Sequence, residues 1–177
     1  AKEMEPSLKL WIMGPYEEED EYAKDCYELV RVMGISDVIF TGRVDVTEYY
    51  GRMDIMLLTS ISEGQPLTIL ESFAARKPVI ATDVGNCHGL ILGENDDYGE
   101  AGVVVRIMHV EEIAHAILTL AHDEQMRIRM GENGYQRVVS GYRFSYFQDA
   151  YRNIYKNLME EKKQDEVEDG GMKAWQA

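Results

Sequence analysis

Short apolar runs rich in Val, Ile and Leu recur along the chain at Leu8–Met13, Val38–Phe40, Asp54–Thr59, Pro78–Ala81 and Gly102–Val105. Runs this short and this continuous are what strands buried on both faces look like. Between them lie stretches of helical period at Glu18–Met33, Thr47–Met53, Pro66–Ala75 and His88–Leu92. Strand and helix alternate, which predicts an α/β fold whose parallel sheet is joined by right-handed crossovers. About five strands are too few to close an eight-stranded barrel, so a doubly wound, Rossmann-like sheet is expected.

After Val105 the alternation stops. Helical patterns at Val110–Leu120, Gln125–Ser140 and Phe144–Lys163 predict three consecutive closing helices. Tyr142, Phe144, Tyr146, Phe147, Tyr151 and Tyr155 include pairs three and four apart, and the expectation is that they pack the last helix across the body of the protein. From Gln164 the sequence turns charged and Gly-containing. One domain over residues 1–163 and a flexible tail over 164–177 are therefore expected.

Composition narrows the function classes. A 45% hydrophobic fraction over 177 residues supports one real core. With 32 Asp and Glu against 18 Lys and Arg the net charge is −14, which argues against a nucleic-acid partner. Two acidic runs, Glu17–Asp25 and Glu160–Asp169, carry much of that charge and read as solvated faces. No apolar stretch approaches the roughly 18 to 20 residues of a membrane span, and Ala1–Leu10 lacks the layout of a signal peptide, so a cytoplasmic protein is expected. Cys26 and Cys87 lack C-x-x-C spacing, and His88, His109, His115 and His122 have no companions at metal-ligand spacing. Neither a metal nor a cofactor is expected. A strand-like segment begins almost at the first residue, an Ala, which suggests a domain truncated at its N-terminus.

In an open α/β sheet ligands bind beyond the carboxyl ends of the strands, so the loops that leave the strands are where chemistry is sought. The richest follows the third strand and runs from Thr59 through Ser62, Glu63, Gly64, Gln65, Pro66, Leu67 and Thr68 to Glu71. Pro66 suits a helix start, and Gly64 lets backbone approach a ligand. The free amides of the first helical turn, around Leu67 to Ile69, can hold a phosphate even on an acidic protein. Glu71 lies one turn deeper on the face of Leu67 and Thr68, where its carboxylate could accept from two adjacent hydroxyls such as a ribose diol. Glu63 could bond sugar hydroxyls or stabilise positive charge at an anomeric carbon. Taken alone, two glutamates eight apart are equally a loop residue and a helix-surface residue.

The combination does not stand alone. Glu63 and Glu71, with Gly64, Pro66 and Leu67 between them, resemble the E-x7-E signature of retaining glycosyltransferases of the GT-B fold, family 4 type. The resemblance extends to Phe40–Arg43, Asp54–Ser62, Pro78–Gly85, Met130, Gly131, Gly134 and Tyr142. Gly14, Pro15, Cys26, Ser60–Leu67 and Asp83–Cys87 resemble the PelF-like exopolysaccharide subgroup. It covers roughly Leu8 to Leu158.

The resemblance implies that Glu63 contacts the donor sugar beside the amides of Gly64 and Gln65. It implies that Leu67 and Thr68 hold the diphosphate by their backbone and that Glu71 binds the ribose. Gly42, Arg43 and Val44 would flank the nucleobase, and Gly14, Ser62, Pro66 and Gly85 would complete the donor site. It further implies a UDP-sugar donor, UDP-glucose first, no metal, and an acceptor held by an N-terminal domain that this chain does not contain. A membrane polysaccharide synthase complex and a place at the inner membrane surface belong to the same picture. On that reading this chain by itself transfers nothing.

Two departures stand out. Where the family has a second Gly and then an acid after Gly85, this chain has Asn86, Cys87, His88 and Gly89; and Arg76 stands where a helix-ending Gly is usual. A nicotinamide dehydrogenase lacks support, because no G-x-G-x-x-G follows the first strand. A GT-B-fold nucleotide-sugar epimerase, a glycan phosphorylase and a non-catalytic nucleotide-sugar or assembly module remain alternatives.

Overall fold

The computed structural model describes residues 1–15, 20–94 and 96–173, with side chains described to Glu160; Glu18 and Glu19 of the expected first helix therefore lie outside the described residues. Five strands alternate with helices: β1 (Leu10–Met13), α1 (Glu21–Val32), β2 (Val38–Gly42), β3 (Met56–Leu58), α2 (Leu67–Ala74), β4 (Val79–Thr82), α3 (Cys87–Leu92) and β5 (Gly102–Val105). Helices α4 (Val110–His122), α5 (Glu124–Gly141) and α6 (Phe144–Lys173) follow. All strand pairings are parallel, as the alternation predicts.

Three expectations need correction. Thr47–Met53 is not an α-helix but two 3₁₀ turns, Val46–Glu48 and Tyr50–Arg52. Gly51 and the β-branched Val46 and Thr47 are poor helix formers, and Asp45 caps only one short turn by accepting from the Thr47 amide at 3.0 Å. The strands do not form one continuous sheet among the described residues. They divide into a pair, β1–β2, and a triplet ordered β3–β4–β5. Burial on both faces holds for β4, where all four residues are buried, but not for β1, whose Leu10 and Ile12 are exposed on one face.

The core sits around β4. Ile80, Val105, Ala116, Leu120 and Met130 form one cluster, and α2 adds fully buried Ile69 and Phe73. Each such side chain contributes roughly 1.5–3 kcal/mol by leaving water. The triplet is thus the rigid platform from which the loop after β3 projects. On the β1–β2 side, Tyr27 of α1 packs on Phe40 at 4.0 Å between ring centroids.

Arg76 does take up a left-handed backbone, with φ 56°. Its guanidinium pairs with Glu132 at 2.9 Å and lies 3.5 Å over the Tyr135 ring, so α5 holds the side chain that the strained turn requires. Gly131 is part of the same junction, because a Cβ there would run into the Arg76 carbonyl. Arg76→Ala is expected to lower the urea midpoint further than Arg76→Gly, since alanine keeps the strain and loses both contacts. A larger loss for glycine would show that the left-handed turn carries no strain.

The chain divides into two compact units, Ala1–Arg137 and Val138–Ala177. In the second, α6 runs ten residues beyond the expected Lys163. Within this unit the aromatics of α6 meet along the helix. Phe147 and Tyr151 meet at 4.6 Å and Phe144 and Phe147 stack at 6.1 Å along the helix itself, while Phe144, Tyr146, Phe147, Tyr151 and Tyr155 all remain exposed. No helix among the described residues is long and apolar enough to cross a membrane.

Candidate donor site

The loop from β3 to α2 is held by side chains on either side of it. Thr82, at the end of β4, donates its hydroxyl to the Ser60 carbonyl, and the Ser60 hydroxyl in turn donates to Glu63 Oε1 at 2.8 Å. The Glu63 carboxylate is thereby oriented by the backbone it follows. In the sequence Ser60 reads only as part of the motif run, without this role toward Glu63.

A second loop closes on the first. The Asn86 amide donates to the Gly64 carbonyl at 2.8 Å, and the Asn86 side-chain amide reaches Gln65 Oε1 at 3.4 Å. Gly85, between them, has φ 51°, and a Cβ on it would collide with the carbonyls of both Glu63 and Gly64. This is why the residue must be glycine: the loops after β3 and β4 touch backbone to backbone. Asn86 therefore does structural work where the resemblance left its loop unexplained. Cys87 just beyond is buried, which pushes its thiol up, and the negative charges of Glu63 and Asp83 add to the effect.

Helix α2 begins at this junction. Pro66 stands at its N-cap and no side chain caps it, so the amides of the first turn are left for another partner. Leu67 and Thr68 are exposed there, as is Glu71 one turn on, while Ile69, Ser72 and Phe73 anchor the opposite face in the core. The amphipathic pattern of α2 thus fixes which residues face outward. Glu71 accepts a hydrogen bond from the Tyr50 hydroxyl at 3.4 Å.

The structure therefore brings Ser62, Glu63, Gly64, Gln65, Pro66, Leu67, Thr68 and Glu71 together with Gly85. Gly14 and Gly42 form a separate pair at the ends of β1 and β2, where the Gly14 amide donates to the Gly42 carbonyl at 3.0 Å. Arg43 and Val44 follow directly, with Arg43 exposed. These two groups sit on different sheets.

A model of the glycosyl transferases group 1 family matches residues 1–123, well over half of the chain. The chain belongs to this family. Among the relatives is a lipopolysaccharide core biosynthesis glycosyltransferase, LpsE, of Rhizobium meliloti, 31% identical over 151 residues; these are 84% of this chain and 42% of that protein. The chain spans less than half the length of such curated relatives, 36% and 42% of two of them. Among solved structures, the C-terminal domain of a group 1 family protein from Francisella tularensis, LpcC, is 26% identical, with a TM-score of 0.70 over 81% of this chain and 74% of that one. Anabaena Alr3699/HepE, solved with UDP-glucose, is 20% identical with a TM-score of 0.77 over 86% of this chain and 42% of that one. The fold is the Rossmann-like half of a GT-B glycosyltransferase.

Proposed function

We propose that this group 1 domain binds the donor of a retaining hexosyltransferase, a UDP-sugar with UDP-glucose first, for the synthesis of a bacterial exopolysaccharide. The observation that carries the reading is the junction at which an uncapped helix start, a side-chain-oriented glutamate and a backbone-tight glycine meet at Glu63–Thr68 and Gly85. The first-turn amides of α2 hold the diphosphate, helped by the helix dipole, and Glu71 accepts the ribose hydroxyls. Gly42, Arg43 and Val44 flank the base. As the bond from the anomeric carbon to the diphosphate breaks, the Glu63 carboxylate offsets the positive charge on the sugar and the α2 dipole offsets the negative charge on the leaving group.

Retention and the PelF-like subgroup rest on the glutamate spacing and the neighbouring motif residues. The UDP-sugar is supported by the UDP-glucose complex of a protein of this fold, and polysaccharide synthesis by a relative that builds lipopolysaccharide core. The likeness to a C-terminal domain, together with coverage of well under half the relatives' length, supports an acceptor site elsewhere in the intact protein, with this stretch inactive alone. A station at the inner membrane surface, beside a synthase complex, follows from the same assignment.

Calorimetric titration of the intact protein with UDP, UDP-glucose, GDP and NAD, alongside Glu71→Ala, tests the donor assignment. UDP and UDP-glucose are expected to bind and to weaken about tenfold or more in the variant, the size of a lost bond to a charged group. Binding of NAD in their place contradicts the assignment.

A further inference from the structure

We propose that Tyr50 is a positioning residue for the nucleotide: its hydroxyl holds one oxygen of the Glu71 carboxylate so that the rest of that group is presented to the ribose diol. This rests on Glu71 being the ribose-binding carboxylate.

Tyr50 opens the second 3₁₀ turn and donates to Glu71 Oε2 at 3.4 Å, across 21 residues of sequence and from the segment that follows β2 to the helix that follows β3. Its backbone is fixed from both sides. Tyr49 meets Trp11 of β1 edge-on at 5.4 Å, and the Arg52 guanidinium lies 4.8 Å over the same Trp11 ring. Tyr50 is half-buried, so its ring cannot swing freely. Burial, then the charge of Glu71 and the bond itself, push the phenol up to about 12, and it stays a protonated donor across the working range of pH.

An ionised carboxylate accepts at roughly four positions. With one of them taken by a fixed phenol, an exposed glutamate loses much of its rotamer freedom before the nucleotide arrives, and the two vicinal hydroxyls meet an oriented acceptor. The Tyr50 bond also ties the β1–β2 pair to the β3–β4–β5 triplet at the point where base and ribose would lie. Nothing in sequence spacing announces this pairing.

The test is a binding cycle on the intact protein with UDP and 2′,3′-dideoxy-UDP, using Tyr50→Phe, Glu71→Gln and the double variant. Tyr50→Phe removes only the hydroxyl and keeps the ring's packing. It is expected to weaken UDP by about three- to tenfold and the dideoxy nucleotide by less than about twofold. In the Glu71→Gln background the same change is expected to add nothing further. Equal losses for both nucleotides, or no loss for UDP, overturn the proposal while leaving Glu71 in its role. If Glu71→Gln itself binds UDP as the unsubstituted protein does, the ribose assignment falls and the role of Tyr50 falls with it.

Discussion

Glu63→Gln is expected to slow sugar transfer by the intact protein by about 10²- to 10³-fold while leaving its affinity for UDP unchanged. The change is nearly isosteric, and the loop around it is held by other bonds. Ser60 is fixed through its own carbonyl by Thr82, and Gly64 is held by the Asn86 amide. Glutamine fills the volume and can still accept from Ser60, so the structural role survives. What disappears is the negative charge that, on the proposed reading, faces the sugar as positive charge develops there. The proposed nucleotide contacts, on the amides of Leu67 and Thr68 and on Glu71, are left intact by this change. A fall in kcat with KM for the donor held constant is the signature of an interaction made in the transition state alone. A fall of less than about tenfold would mean that Glu63 has no such role.

The largest effect on stability is expected at Arg137→Ala, about 3–5 kcal/mol, the size of breaking a buried ion pair by removing one partner. Arg137 is only 3% exposed. It grips Asp96 with two bonds, at 2.6 and 2.9 Å, and donates to the carbonyls of Leu90, Ile91 and Gly99. It therefore satisfies the carboxyl end of α3 and fixes the loop that leads into β5. Truncation strands a carboxylate and several carbonyls at once. Urea denaturation of the variant checks the magnitude against a total stability typically of 5–15 kcal/mol.

The same pair sets an acid limit. Arg137 holds the Asp96 carboxyl below its ordinary value, so its contribution is present above the unfolded value, near about 4, and is lost as the pH falls through the lower folded value. Arg137→Ala is expected to flatten that part of the acid-unfolding profile. A profile with unchanged slope would show that the pair does not titrate with folding.

Much of this was legible in the sequence, for physical reasons that differ from element to element. The β4 run, Pro78–Ala81, reads correctly because burial on both faces leaves no room for polar residues. Pro66 and Gly64 mark the start of α2 because few other residues suit those backbone positions. Arg76 was visible as an oddity, a non-glycine at a left-handed helix end, but its remedy on α5 was not, because Glu132 and Tyr135 come to it only through the fold.

The 3₁₀ turns at Val46–Arg52 were misread because a run of seven residues can satisfy a helical period without holding an α-helix. The exposed face of β1 was hidden for a related reason: Leu10 and Ile12 look like core residues whether or not anything covers them. At the candidate site, Glu63 and Glu71 were found by spacing and resemblance. Ser60 holds Glu63 from only three residues away, whereas Asn86 and Tyr50 act across chain separations that a motif does not encode. The aromatic series of α6, spaced three and four apart, brings neighbouring rings together along the helix.

The central claim is that the β3–α2 junction is the donor site, and the most direct measurement is a crystal structure of the intact protein with UDP-glucose. The diphosphate is expected on the amides of Leu67 and Thr68, the ribose hydroxyls on Glu71, the glucose against Glu63 and the uracil beside Gly42–Val44. A nucleotide bound elsewhere, with the first turn of α2 empty, would contradict it.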